Sequence, residues 1–387
     1  MTNGERKRRR SCDRINTKKR LKTHHSMDPL LLLHYELHEF VFQHLSGNDV
    51  INASEVSRLW YQETLDSKEC TRKLKISIDN IFELPGKDEL KQLQTSLRKY
   101  QHIHIRWDYL GTDNTECWNL VKTFAQNIET LSIANLMLVD YSEDNTTLLI
   151  PKLKKLTISH QSNWLFNPTY FLLTPNNILT CLILDIDFDQ RICAFFQQNH
   201  TLKELQLSNN LIVSLLQSKA LNDVKFKLTK LMISRAIFSF MDNNFKSFLM
   251  SQANSLEVIE VYGVPTEVFN IIFNDFKVIR DFKVKRVYNF YYINVHINVT
   301  LKEFSSDLPL EGLATIIIAA TNLEVLKVNV LKTEMMEFIA RHARSLRKLI
   351  FKTTTEDIYG YYENLKTLSS FINRNIELSK VYQLDSN

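Results

Sequence analysis

Glycine is scarce in this 387-residue sequence, which contains seven glycines, none of them in a glycine-rich loop. Loops that cradle phosphate groups need positive φ angles and a close backbone approach, which glycine supplies most easily. The sequence also lacks the HExxH and GxSxG motifs of metal-dependent and serine hydrolases. We therefore expect a non-catalytic protein with no metal site, no cofactor and no small-molecule substrate.

Paired cysteines are absent as well. The five cysteines are odd in number, scattered and never in a CxxC pair, at Cys12, Cys70, Cys117, Cys181 and Cys193. This pattern argues against a disulfide framework and a thiolate zinc site. No apolar run approaches the roughly 18 residues that span a bilayer, and the basic N-terminus lacks the apolar stretch of a secretory signal. We expect no membrane segment and a location in the nucleus, the cytoplasm or both.

The net charge of +5 is unevenly distributed. Residues 1–22 hold ten Lys or Arg against two acids, an excess of +8, so the remaining 365 residues carry −3. A slightly acidic folded part does not resemble a phosphate-binding surface, so nucleic acid is not an expected partner. Residues 1–27 should form a basic, disordered tail. Two clusters in it resemble a bipartite nuclear-import signal, or they are simply solvated; they comprise Lys7, Arg8, Arg9, Arg10, Lys18, Lys19 and Arg20.

Residues 28–68 show a helical pattern. Asp28 followed by Pro29 predicts a helix start. Four apolar residues then recur at a spacing of four, which places them on one helical stripe: Leu33, Leu37, Val41 and Leu45. Gly47 would end this helix and Asp49 would cap the next. So short a segment has more apolar surface than it can bury within itself.

This segment resembles the F-box motif. The family pattern, roughly L-P-x-E-(I/L)-x3-(I/V)-F-x2-L-x3-D-(L/V)-x5-V-x3-W, is matched without a gap at Leu33, Glu36, Leu37, Val41, Phe42, Leu45, Asp49, Val50, Val56 and Trp60. His34 stands where the family usually has proline, which would leave the first turn less rigid. The resemblance implies that residues 28–68 bind the Skp adaptor of a cullin-RING ubiquitin ligase. The alternative is an N-terminal cap that closes a repeat array.

From residue 69 to 387 an L-x-x-L-x-L pattern recurs about twelve times, as in Leu202 to Leu207. Its middle apolar residue lies at positions 74, 103, 131, 156, 182, 205, 231, 259, 282, 304, 326 and 349, so the spacing is 22–29 residues. The pattern is that of leucine-rich repeats. It predicts an α/β horseshoe-shaped solenoid with parallel strands on the concave face and helices outside. The variable length, and Ser306 at an apolar position, predict an irregular array.

An F-box followed by leucine-rich repeats is a known family layout. It implies a substrate-recognition subunit of a Skp/cullin/F-box ubiquitin ligase, in which the repeats hold a protein substrate for ubiquitination and proteasomal degradation. Such a receptor raises the effective concentration of the substrate near the conjugating enzyme and donates no catalytic group. The alternative is a non-ligase leucine-rich-repeat scaffold with an F-box-like N-terminal cap.

The outward residues of the strands are the candidate substrate surface. Cations near both ends of the array, with a mixed middle, would suit an acidic or phosphorylated segment. Ordinary solvated strand residues are the alternative. The candidates are His102, His104, Arg106, Lys155, Glu204, Tyr262, Lys283 and Lys285.

Overall fold

The protein was analysed as a computed structural model. The structure describes residues 28–79, 87–107, 115–135, 149–159, 178–188, 190–237, 243–290, 293–329, 333–351 and 376–380. The predicted basic tail and its import signal lie outside these residues. The chain divides into two compact units, Met1–Cys70 and Thr71–Asn387.

The described part of the first unit is helical. Its helices are α1 (Pro29–Leu32), α2 (Tyr35–His44), α3 (Gly47–Ser54) and α4 (Arg58–Asp66), and α5 (Lys68–Lys73) crosses the boundary between the units. The predicted helix start is confirmed, because the Asp28 carboxylate accepts a hydrogen bond from the Leu30 amide at 3.1 Å and Pro29 occupies the first helical position.

Three predictions about this unit are wrong. Leu33 and Leu45 do not share a helix with Leu37 and Val41, because both are extended cap residues that flank α2. Gly47 does not end a helix but begins α3. Ser46, rather than Asp49, is the N-cap. The Ser46 hydroxyl accepts from the Asp49 amide at 3.2 Å and the Asp49 carboxylate accepts from the Ser46 amide at 3.0 Å, which forms a capping box.

The second unit contains one sheet of thirteen described strands, all parallel and ordered as in the chain. They are β1 (Lys75–Asp79), β2 (His102–Arg106), β3 (Thr130–Ala134), β4 (Lys155–Ser159), β5 (Cys181–Asp185), β6 (Glu204–Ser208), β7 (Lys230–Ile237), β8 (Val258–Pro265), β9 (Asp281–Tyr288), β10 (Glu303–Ser306), β11 (Val325–Val328), β12 (Lys348–Phe351) and β13 (Glu377–Lys380). The predicted α/β class with parallel strands is confirmed.

Helices follow many of the strands. They are α6 (Lys87–Gln94), α7 (Thr115–Phe124), α8 (Gln190–Gln198), α9 (Asn209–Gln217), α10 (Asn243–Gln252), α11 (Thr266–Asp275), α12 (Leu310–Ala319) and α13 (Thr333–His342). Helix α9 packs on β6 and β7, and α11 packs on β8 and β9. The sheet therefore has a covered face, and burial alternates along the strands as a one-sided core requires.

The repeat register was predicted almost completely. The middle apolar residues from Ile103 to Leu349 pair with one another from strand to strand and form one buried row. The first repeat was placed two residues too early, because Ile76, not Leu74, pairs with Ile103. Leu378 of β13 pairs with Leu349 and adds a strand that was not predicted.

Asparagine shapes two of the turns that lead into strands. The Asn199 side chain accepts from the amides of Thr201 and Leu202 at 3.0 and 2.9 Å. Asn298 does the same for Thr300 and Leu301, and its amide group also donates to the Phe273 carbonyl at 2.9 Å. Both side chains satisfy amides of the turn, and Asn298 also satisfies a carbonyl in the last turn of α11.

Candidate interaction surfaces

Asp28 connects two helices of the first unit. Besides capping α1, its carboxylate accepts from the Ser57 hydroxyl at 2.9 Å and from the Trp60 indole N–H at 3.0 Å. Ser57 is in turn the N-cap of α4. Desolvation acts to raise the pKa of Asp28, but the three donated hydrogen bonds outweigh it and lower this pKa below its ordinary value. The indole of Trp60 is therefore fixed by a charged acceptor.

His38 forms a second connection in this unit. The side chain is buried, and Nδ1 lies 3.1 Å from the Glu63 carboxylate while Nε2 lies 3.0 Å from the Leu30 carbonyl oxygen. Both partners are acceptors, and a neutral imidazole has only one N–H, so the imidazolium form satisfies both. Burial acts to lower the pKa of His38, but Glu63 and the Leu30 carbonyl outweigh it and raise this pKa.

The predicted adaptor-binding residues separate into three groups. Phe42 and Val50 are buried, and the Phe42 ring lies 6.3 Å from that of Trp60 in an edge-to-face arrangement. Exposed residues form the second group, Glu36, Leu37, Asp49 and Val56. Half-buried residues form the third, Leu33, Val41, Leu45 and Trp60. The buried pair thus packs inside the protein, while the exposed group is available to a partner.

Several exposed apolar residues were missed by the sequence pattern. Leu31, Leu32 and Tyr35 are 63, 64 and 69% exposed, and Phe40 is 61% exposed. Together with Leu37, which is 47% exposed, they form what we call the α1–α2 apolar surface. These residues were missed because the helix is interrupted at Leu33 and His34, where the backbone is extended. His34 is the N-cap of α2 but makes no capping hydrogen bond through its side chain.

The candidate substrate residues of the second unit all lie on the exposed face of the sheet, since they alternate with buried residues along β2, β4, β6, β8 and β9. They form separate groups. His102, His104 and Arg106 are on β2, whereas Lys283 and Lys285 are on β9. Seven strand spacings of about 4.8 Å separate β2 from β9, which is roughly 34 Å. One short ligand could not contact both groups.

Several of the expected cations on this face have partners of their own. Lys283 Nζ lies 3.7 Å from the Glu260 carboxylate, and Lys285 Nζ lies 4.8 Å from the centre of the Tyr262 ring. His102 Nε2 is 3.0 Å from the Arg72 carbonyl oxygen. Burial and the neighbouring cations Lys75 and Arg106 lower the pKa of His104, so it is mainly neutral at pH 7. The face is therefore less cationic than its residue types indicate.

Two further lysines of the sheet also form ion pairs with a glutamate of a neighbouring strand. Lys327 lies 2.5 Å from Glu303, and Lys348 lies 2.6 Å from Glu377. Glu204, another candidate, accepts a hydrogen bond from the Cys181 thiol at 3.7 Å. Lys155 is exposed on β4. The acidic or phosphorylated substrate segment remains a prediction, and Lys155 and Arg106 are further cationic candidates for its contacts.

Cys117 and Cys181 are uncharged thiols at neutral pH. Burial, and to a lesser degree Glu116, raises the pKa of Cys117 to about 12. Burial and Glu204 raise the pKa of Cys181 to about 11. Within the described ranges no group of three His, Cys, Asp or Glu side chains could hold a metal ion. In the same ranges no helix is long and apolar enough to cross a membrane.

No protein-family model matches this chain, and no curated protein matches it.

Proposed function

We propose that the chain is an F-box protein with leucine-rich repeats, which acts as the substrate-recognition subunit of a Skp/cullin/F-box ubiquitin ligase. Residues 28–68 would bind the Skp adaptor, and through it a cullin. The repeats would bind a protein substrate for ubiquitination. The protein itself would be non-catalytic, and its contribution to the rate would be the effective concentration of the substrate near the conjugating enzyme.

The observation that carries this proposal is the α1–α2 apolar surface. Leu31, Leu32, Tyr35 and Phe40 are each more than 60% exposed on two short helices. Full burial of one large apolar side chain contributes about 1.5–3 kcal/mol, so a partner that covers this surface gains substantial free energy. Several exposed large apolar side chains on two adjacent short helices favour an interaction site.

The F-box resemblance supports the same proposal, and the different burial of the motif residues is consistent with two roles. Phe42 and Val50 would maintain the helical unit, and Leu37 and Val56 would face the adaptor. The hydrogen bond from the Trp60 indole to Asp28 holds α4 against the start of α1. In this proposal the buried motif residues maintain the helical packing, and the exposed motif residues contact the adaptor.

The second candidate function is a leucine-rich-repeat scaffold that has an F-box-like cap and binds no adaptor. His34 favours it, because this N-cap makes no side-chain hydrogen bond and replaces the proline of the family pattern. Proline fixes φ near its helical value, so its loss leaves the start of α2 less restricted.

Co-purification separates the two candidates. The tagged full chain is mixed with a recombinant Skp adaptor and a cullin, recovered on resin and analysed for both partners. We expect both to be retained, and the double change Leu32→Glu with Phe40→Glu to abolish retention, because it places charges on the α1–α2 apolar surface. Ile318→Glu is the matched control, since Ile318 is also 60% exposed but lies on α12.

Two results would contradict the proposal. A folded, intact chain that does not retain the adaptor would exclude the ligase function and leave the scaffold. Retention by the double variant at the level of the intact chain would show that the α1–α2 apolar surface is not the adaptor site. Phe42→Ala is unsuitable for this test, because Phe42 is 1% exposed and its loss would disturb the unit itself.

A further inference from the structure

A cavity of about 480 Å³ lies at the carboxyl ends of β10 and β11, beside the first turns of α12 and α13. This volume is within the range of about 300–1,000 Å³ that is typical of ligand pockets. The carboxyl ends of parallel strands are also where open α/β sheets commonly bind ligands. The cavity belongs entirely to the second unit.

The lining of the cavity is mixed, with Asp307 and Asn329 among its polar residues and three buried apolar side chains in its wall. Leu308, Val328 and Met335 line it and are 5–6% exposed. Their side chains provide carbon contacts on several sides, so the cavity suits a flat or branched apolar group better than a hydrated ion. An aromatic ring of a partner would bury its whole face here.

Ser306 is the unusual residue of the lining. It occupies an inward position of the sheet at which both neighbouring strands have valine, Val284 and Val328. The residue is 3% exposed, and its Oγ accepts from the Leu308 amide at 3.2 Å. Its hydroxyl proton has no acceptor among the residues that the structure describes. A buried donor without an acceptor is costly, so a ligand with an oxygen at this point would satisfy it.

Three carboxylates line the cavity, those of Asp307, Glu311 and Glu334. Glu311 and Glu334 are exposed and form no ion pair within the described ranges. Each belongs to a helix first turn, where an acid also stabilises the helix. A helix N-terminus contributes only about half a positive charge, so these two carboxylates exceed two such ends by about one negative charge. The opening therefore attracts a cation.

We propose that this cavity binds a tyrosine side chain of a partner protein, with a lysine or arginine next to it in the partner sequence. The ring packs between Leu308, Val328 and Met335. The phenol oxygen accepts a hydrogen bond from the Ser306 hydroxyl, and the neighbouring cation pairs with Glu311 and Glu334. A phosphotyrosine is excluded, because its charge would be repelled by the two carboxylates and poorly solvated by the walls. This inference deepens the proposed function by naming the class of substrate segment.

NMR titration of the full chain tests the proposal, with methionine methyl groups labelled with ¹³C. Met335 lines the cavity and reports occupancy, and Met335→Leu assigns its signal. The probes are the peptide acetyl-Gly-Tyr-Arg-Gly-amide and three analogues, in which phenylalanine or phosphotyrosine replaces tyrosine, or citrulline replaces arginine. We expect a saturable shift with the first peptide, about tenfold weaker binding of the phenylalanine and citrulline analogues, and none of the phosphopeptide.

Variants of the chain assign each contact. Ser306→Ala should reduce affinity for the tyrosine peptide about tenfold, to that of the phenylalanine analogue, and should not change affinity for the analogue. Glu311→Gln with Glu334→Gln should make the arginine and citrulline peptides equivalent. Glu337→Gln is the matched control and should change neither, because Glu337 pairs with Arg341 on α13 and does not line the cavity.

Three results would overturn the proposal: no saturable shift of the Met335 methyl signal, equal affinity for the tyrosine and phenylalanine peptides, or unchanged discrimination in the two variants. The Met336 methyl signal checks folding, since Met336 is buried on the same helix but outside the lining. The titration uses no adaptor. Its failure would leave the co-purification result intact, and a failed co-purification would leave peptide binding intact.

Discussion

Replacement of Glu63 by glutamine should loosen the first unit in a pH-dependent way. The Glu63 carboxylate lies 3.1 Å from Nδ1 of His38, and the two side chains are 23 and 9% exposed. A hydrogen bond between charged, largely buried groups contributes about 1.5–3 kcal/mol. In the variant, the free energy of local opening of α1 and α2 should therefore fall by about this amount. Amide hydrogen exchange in these helices should then be roughly 10- to 150-fold faster.

The pH dependence follows from the raised pKa of His38. The folded protein holds the His38 proton more tightly than the unfolded chain, whose histidine pKa is near 6.5. The stabilisation is therefore fully present below pH 6.5 and is lost as the pH rises through the folded pKa. The difference between the intact chain and Glu63→Gln should be largest at acidic pH and should shrink above the folded pKa.

Hydrogen exchange read by mass spectrometry on peptides that cover α1 and α2 measures this difference, after correction for the intrinsic pH dependence of exchange. Glu55→Gln is the matched control, because it removes an exposed carboxylate of the same unit and leaves His38 and its partners in place. A difference between the intact chain and Glu63→Gln that is constant from pH 5 to pH 9, or no difference at all, would refute the assignment of His38 as a bound imidazolium.

Three further predictions concern the second unit. Phe304→Ala should cost about 3–5 kcal/mol in denaturant unfolding, because this ring is fully buried in an aromatic cluster, and a loss below 1 kcal/mol would contradict its place in the core. Asn298→Ala should leave the Leu301 amide without its acceptor and cost about 1–3 kcal/mol in the same assay, and an unchanged free energy of unfolding would contradict this role of Asn298. Iodoacetamide at pH 8 should label Cys193 before Cys117, since Cys117 is buried with a pKa of about 12; peptide mass spectrometry reads the order, and the reverse order would contradict it.

The sheet could be predicted because its signal is repeated and local. Each L-x-x-L-x-L copy buries the two residues that alternate along a strand, and a register error of one residue would expose them. The first copy was misplaced because Leu74 is itself apolar and buried, so the pattern fits two registers. Only the pairing of Ile76 with Ile103 decides between them. The last strand had no predicted copy, although Leu378 pairs with Leu349 of the preceding strand.

Side-chain partners could not be predicted in the same way, because they join residues far apart in sequence. Some of the cations expected to meet an acidic substrate are paired across strands, as in Lys283 with Glu260. Residue type alone does not show this, since the partner is 23 residues away and its alignment depends on the register of two strands. The same holds for His38 and Glu63, which are 25 residues apart.

The helical unit shows why a motif can match while its periodicity misleads. A spacing of four from Leu33 to Leu45 implies one stripe only if the helix is continuous, but the chain is extended at Leu33 and His34 and again at Leu45. The break separates α1 from α2, so that Leu31, Leu32 and Tyr35 become exposed while Leu30 is buried.

Proline at position 34 would also favour an extended backbone at Leu33, because a residue that precedes proline avoids the helical region. His34→Pro should therefore keep the break and the α1–α2 apolar surface, and adaptor affinity should be unchanged or higher in the co-purification assay, whereas loss of retention in a folded variant would show that the His34 side chain itself contributes to the interface.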